Sequence, residues 1–261
     1  MKGGQENWVK NSLMAGEKIS AGWLQAASNI TAEVMAEAGF DVLMIDMEHA
    51  PGDIQKLISQ IQAMKGEQAV PFVRAPWNDF VQIKRILDAG VYGLLVPYVN
   101  SAEEASQAVK AAKYPVSGIR GVAGSPRAAH YGNNSVEYLK SAGNNIFVMT
   151  AVETPQAVED LDEILKIKEL DGIFIGPMDL ATNMGFFADS SAESVQKVIA
   201  QIESKVLKAG KVLATVSGNT DDAFAKYKRG YNMVVFMSDT TTLGAVARER
   251  VNEFKKEFEI I

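Results

Sequence analysis

Short apolar runs rich in β-branched and aromatic residues alternate along this chain with longer segments whose apolar positions recur every three to four residues. The short runs read as strands buried on both faces, and the longer segments read as amphipathic helices. Strands are predicted at 20–25 (SAGWLQ), 41–46 (DVLMID), 69–74 (AVPFVR), 93–98 (GLLVPY), 146–152 (IFVMTAV), 172–177 (GIFIGP), 212–217 (VLATVS) and 233–238 (MVVFMS). The helical segments carry their own boundaries. TAEVMAEAGF stops at Gly39, DFVQIKRILDAG opens on Asp79 and stops at Gly90, and SAEEASQAVKAAKYP begins with the capping pair Ser101 and Glu104. SAESVQKVIAQIESKVLKAG and TDDAFAKYKRG each close on glycine. Repeated βα units with no break in composition predict one domain over 1–261, an α/β fold of the (β/α)8 TIM-barrel type. An open, doubly wound sheet is the structural alternative, but no G-x-G-x-x-G follows the first strand.

Composition narrows the function. The chain has 261 residues, a formal charge of -6, no cysteine and two histidines. Disulfides, thiolate zinc sites and a cysteine nucleophile are thereby excluded, and any metal must be held by oxygen or imidazole. No block of lysine and arginine suggests nucleic acid or a membrane surface, and no stretch reaches the length of a signal-peptide core or a membrane span. These features predict a cytoplasmic protein acting on small molecules. The longest irregular stretch, 116–135, carries Arg120, Arg127 and His130. It reads either as a cover over a site or as a solvated surface loop.

In a (β/α)8 barrel the site is built at the C-terminal ends of the strands. The second predicted strand ends in Asp46, Glu48 and His49, the third in Arg74, and the fifth in Glu153; the sixth runs on into Asp179. Two carboxylates such as Glu153 and Asp179, projected from adjacent strand ends, repel unless a cation lies between them or one is protonated. A hard divalent ion such as Mg²⁺ or Mn²⁺ suits that pair, and capping of the helices that follow is the other reading. Asp46, three residues before His49, is placed to orient the imidazole as a general base, and Glu48 is expected to point away. Arg74 needs an anionic partner, either a neighbouring carboxylate or a substrate. No lysine ends any strand, so a Schiff-base aldolase lacks its nucleophile, and neither a G-x-S-x-G elbow nor a Walker loop is present.

Taken in order, AGFDVLMIDMEHAPGD, PFVRAPWNDFVQIKRILDAGVYGLLVPYV, YPVSGIRGV, VETPQAVEDLDEIL and DGIFIGPMDLATNMG resemble the HpcH/HpaI family of metal-dependent class II pyruvate aldolases, over nearly the whole chain. The resemblance implies a barrel whose last helix is exchanged between subunits, with dimers assembled into a homohexamer. It implies Mg²⁺, Mn²⁺ or Co²⁺ held by Glu153 and Asp179, and pyruvate or the pyruvyl half of a 4-hydroxy-2-oxo acid as ligand. By the same resemblance the backbone amides of Met178 and Asp179 receive the pyruvyl carboxylate and Arg74 holds the keto oxygen. His49 with Asp46 forms the acid/base dyad, and Trp23 and Val216 shape the aldehyde pocket. One position departs from the pattern: members near the heptenedioate aldolase carry glutamine two residues before the metal-binding glutamate, where this chain has Ala151. The implied reaction is metal-dependent, reversible cleavage of a 4-hydroxy-2-oxo acid to pyruvate and an aldehyde. A lyase of the citrate-lyase or malyl-CoA type and a non-catalytic pyruvate- or metal-binding relative are the alternatives.

Overall fold

The computed structural model describes residues 6–259. Eight parallel strands, β1 (Ile19–Leu24), β2 (Val42–Asp46), β3 (Val70–Arg74), β4 (Gly93–Val96), β5 (Phe147–Val152), β6 (Gly172–Ile175), β7 (Val212–Val216) and β8 (Met233–Ser238), close into a barrel in sequence order. Each predicted strand is present, and each bound agrees to within two residues. Around them run α1 (Trp8–Met14), α2 (Asn29–Glu37), α3 (Ile54–Ala63), α4 (Phe80–Asp88), α5 (Ala102–Ala112), α6 (Ser135–Asn145), α7 (Pro155–Glu159), α8 (Leu161–Ile164), α9 (Pro177–Asn183), α10 (Glu193–Lys208), α11 (Thr220–Arg229) and α12 (Asp239–Glu257). The caps are those the sequence signals. Asp79 accepts from the Gln82 amide at 2.8 Å and Ser101 from the Glu104 amide at 3.2 Å, while Glu104 reaches back to the Asn100 amide at 2.6 Å.

Strand side chains alternate between two environments. On β5, Phe147, Met149 and Ala151 join the barrel interior with Ala21 and Trp23 of β1, Val42 and Met44 of β2, and Val70 and Phe72 of β3. The intervening Val148 and Val152 pack outward beneath the helices. Inside, Phe72 stacks on Phe147 at 5.5 Å and Trp23 meets Phe174 edge-on at 6.3 Å. Gly93 makes room for Phe72, since a Cβ there would lie 2.3 Å from the ring. At the N-terminal end Val9 and Leu13 of α1 join the interior, and Lys10 pairs with Asp171 at 2.9 Å. The barrel is thus plugged at one end and open at the other.

The long segment after α5 lies at the plugged end, so within its own chain it does not cover the strand C-termini. Arg120, 1% exposed, pairs there with Asp88 at 2.7 Å and packs against Tyr114. Arg127 donates to the Ala89 carbonyl at 2.8 Å, and His130 borders a cavity of about 390 Å³ between the ends of α3, α4 and α6. The last helix behaves differently from the others. Asp239 anchors its start by accepting from the amides of Gln25 and Ala26 and the hydroxyl of Thr31. Beyond Asp239 none of its residues is buried, and Leu243, Val251 and Phe254 are exposed. Among the described residues no helix is long and apolar enough to cross a membrane.

Gly93→Ala should lower stability by roughly 1–3 kcal/mol through overpacking against Phe72. Thermal unfolding will show the loss, and adding Phe72→Leu should recover part of it.

Candidate active site

The inward alternation continues past the last apolar layer into the open mouth. Gln25, Asp46, Arg74 and Glu153 each lie two residues beyond an interior side chain: Trp23, Met44, Phe72 and Ala151. Asp46 and Arg74 are register partners across β2 and β3. Their side chains form a two-pronged pair, Arg74 Nε to Asp46 Oδ1 at 3.0 Å and Nη2 to Oδ2 at 2.7 Å. Gln25 adds a hydrogen bond to Oδ2 at 3.2 Å, and the backbone amides of Glu48 and His49 donate to Oδ1 at 3.0 and 3.3 Å. Burial alone would raise the Asp46 pKa. The hydrogen bonds and charge of Arg74, with those from Gln25 and Glu48, hold it below the ordinary carboxylate value instead. The guanidinium carbon of Arg74 sits 4.5 Å from the centre of the Trp23 ring, a cation–π contact.

Two expectations for this cluster are corrected. Asp46 does not orient the His49 imidazole, because its oxygens are engaged by Arg74, Gln25 and two backbone amides; it reaches His49 through the main chain. The imidazole Nε2 lies instead 3.6 Å from Glu48 Oε2, with the side chain 64% exposed. Nor does Glu48 point away. Its carboxylate is 3.2 Å from Arg74 Nη1, and burial raises its pKa, aided by the charges of Asp46 and Asp179 and opposed by Arg74. Extended alternation puts residues 46 and 48 on one side, so the parity of β2 itself contains this signal.

Across the mouth, Glu153 is 5% exposed. Its Oε2 accepts the backbone amide of Tyr98 at 3.0 Å. It does not cap α7, since Thr154 does so through Ala157 at 3.1 Å. Burial pushes the Glu153 pKa up to about 7, and Asp179 and Glu48 push the same way against the Tyr98 amide and Arg74. Asp179 sits in the first turn of α9, behind Pro177 and Met178. Asp179 thus adds its charge to Glu48 and Glu153, beside an Arg74 whose guanidinium is already paired with Asp46 and Glu48. That imbalance and the all-oxygen donor set fit a hard divalent cation. Among the described residues no three His, Asp or Glu side chains are grouped closely enough to hold a metal ion, so Glu153 and Asp179 would leave the remaining positions to water or substrate.

Trp23 and Val216 line a cleft of about 590 Å³ that also includes Gln25, Met178, Ser217 and Thr242. Ala151 lies below it in the interior layer, 1% exposed. Gln25, Glu48 and Tyr98 are the site residues that strand-end reading missed or misdirected. Tyr98 acts through its main chain, which side-chain chemistry does not signal.

Comparisons with known proteins give the family and the fold. The family model for HpcH/HpaI aldolase/citrate lyase matches residues 20–244. A 4-hydroxy-2-oxo-heptane-1,7-dioate aldolase from Escherichia coli is 39% identical over 249 residues, 95% of each chain. The crystal structure of a HpcH/HpaI aldolase/citrate lyase family protein from Burkholderia cenocepacia J2315 superposes with a TM-score of 0.92 at 32% identity, covering 95% of this chain and 99% of that one. A HpcH/HpaI aldolase from Desulfitobacterium hafniense DCB-2 gives 0.87 at 28% identity, covering 94% and 96%.

A carboxyl whose folded-state pKa is raised adds stability below its unfolded pKa and loses it as pH rises through the folded value, here about 7. Glu153→Gln should therefore raise the melting temperature of the metal-free protein at pH 8 by about 5 °C and change it little at pH 5. Differential scanning fluorimetry in chelator will measure both.

Proposed function

The chain belongs to the HpcH/HpaI aldolase/citrate lyase family, a carbon–carbon lyase by that membership, and we propose that it cleaves a 4-hydroxy-2-oxo acid reversibly to pyruvate and an aldehyde. The observation that carries this reading is the buried Glu153 carboxylate set against Asp179 at the mouth, beside the charge of Arg74. The name of the Escherichia coli relative supports the substrate class. Glu153 and Asp179 would hold Mg²⁺, Mn²⁺ or Co²⁺. Such an ion supplies Lewis acidity at the C2 carbonyl when bound.

The chain's own groups do the rest. The backbone amides of Met178 and Asp179, at the start of α9, receive the pyruvyl carboxylate. Arg74 presents fixed positive charge to the keto oxygen, where negative charge develops as the C3–C4 bond breaks. His49 takes the C4 hydroxyl proton, directly or through water, so that C4 leaves as the aldehyde carbonyl and the bond's electrons pass to the pyruvyl enolate. Protonation at C3 then gives pyruvate. Asp46 takes no part in that transfer; it fixes Arg74 and the turn that carries His49. Trp23 and Val216 border the aldehyde. We also infer that α12, unpacked on its own barrel beyond Asp239, seats on a second copy, in a homo-oligomer built up to a hexamer in the cytoplasm.

Exchange of pyruvate methyl protons in D₂O, followed by NMR with added Mn²⁺ or Mg²⁺, tests the enolate chemistry without knowledge of the aldehyde. Glu153→Ala and Asp179→Ala should abolish exchange, and His49→Ala should slow cleavage by about 10²- to 10⁴-fold. Metal-independent exchange, or exchange unchanged in Glu153→Ala, would reject the cation assignment. Absence of exchange under every metal would favour a relative that binds pyruvate without turning it over.

A further inference from the structure

The Glu153 carboxylate is gripped by backbone on two sides. The amide of Tyr98 holds Oε2, and Gly176 lies against Oε1 so closely that a Cβ there would come within 2.5 Å. To aim its amide, Tyr98 adopts φ of +55°, a left-handed conformation that is uncommon and costly for a bulky aromatic residue. Such strain persists only where the surroundings hold it. Here the Tyr98 ring stacks on Trp77 at 6.0 Å, and Asn100 Nδ2 donates to the Tyr98 carbonyl at 3.2 Å. The Tyr98 hydroxyl meets Asn183, the last residue of α9.

Asn183 is the second half of the arrangement. Its Nδ2 lies 3.1 Å from the Glu153 carbonyl, 2.9 Å from the Asp179 carbonyl and 3.0 Å from the Tyr98 hydroxyl. Two N–H groups are thus shared among three acceptors, and one exposed side chain joins the main chains of both carboxylate residues to the tyrosine whose amide holds Glu153. Helix formation alone accounts for the Asp179 contact, four residues back. It does not account for the other two.

We propose that Tyr98 and Asn183 form a bracket that fixes the spacing of Glu153 and Asp179, making them positioning residues for the cation; this rests on the reading of those two carboxylates as its ligands. Like charges at the mouth drive the pair apart when no cation is present. A site held at its working separation spends less of its binding free energy on ordering the ligands. Asn183 is exposed, so its replacement should leave the core intact.

The test is Mn²⁺ titration of the metal-free protein, with free Mn²⁺ read by EPR and no substrate present. The wild type, Asn183→Ala, Tyr98→Phe and the double variant are compared, with melting curves for each. Asn183→Ala should weaken Mn²⁺ binding about 10-fold and Tyr98→Phe less. The double variant should fall no lower than Asn183→Ala, because both changes remove one shared contact. Melting temperatures of the metal-free forms should stay together, and saturating Mn²⁺ should restore turnover in Asn183→Ala, placing the loss in metal requirement. Unchanged Mn²⁺ affinity in both single variants, with normal binding by the wild type, would overturn the bracket alone. A wild type that leaves Mn²⁺ free would overturn the cation reading and the bracket with it.

Discussion

The mouth of this barrel depends on the fork between Arg74 and Asp46. Both residues lie on one rung of neighbouring strands, so their meeting is a consequence of β2–β3 register. A guanidinium so nearly buried is costly unless an anion and hydrogen bonds satisfy it, and losing one partner of such a pair typically costs about 3–5 kcal/mol. Asp46 meets that requirement and does more. Its Oδ1 also gathers the amides of Glu48 and His49, so the same carboxylate that keeps Arg74 in place shapes the turn presenting the imidazole. Trp23 closes the remaining face of the guanidinium. Charge, turn and ring are set by one side chain.

Arg74 pairs with both Asp46 and Glu48, and Glu153 and Asp179 add further negative charge beside them. Burial raises the pKa of Glu48 and Glu153, and the neighbouring carboxylates add to the rise. Sites that must bind a cation commonly carry such a cost, because the geometry that suits the ion is unfavourable without it. The plugged floor of α1 and the apolar interior exclude water from below. They keep the local dielectric low and strengthen both the mutual repulsion of these carboxylates and their attraction for positive charge.

Much of this was legible in the chain itself. Eight β-rich runs separated by capped helices predict the barrel, and the period of two that builds its interior also sends Asp46, Arg74 and Glu153 to the mouth. What escaped had particular physical causes. Sequence proximity pairs the imidazole with Asp46, whereas register gives that carboxylate a stronger partner from the next strand. Glu48 shares the parity of Asp46, so it turns toward the mouth and not away from it. Tyr98 contributes an amide aimed by an unusual φ, which no side-chain pattern encodes. The 116–135 segment contains binding-type residues, but its place between a helix C-terminus and a strand N-terminus puts it at the plugged end. α1 buries only Val9 and Leu13, too few positions to register as a period.

The charged groups are also unevenly spread around the rim. Asp46 and Arg74 belong to β2 and β3, and Glu153 and Asp179 follow β5 and β6, whereas β7 and β8 end in Val216 and Ser238 and Gln25 follows β1. Under the aldolase reading, the pyruvyl half with its carboxylate and developing oxyanion belongs on the charged arc, and the aldehyde half on the neutral one. Ala151 sharpens that division. It places a methyl group directly below Glu153 in the inward column of β5, so that position offers no side-chain donor to the carboxylate. The amide that borders the mouth comes from Gln25 on the opposite arc, where its nitrogen serves Asp46 and its oxygen accepts from Ser238 at 2.8 Å. An amide bound at both ends acts as a wall, and it leaves the Glu153 carboxylate to the Tyr98 amide and the charge of Arg74.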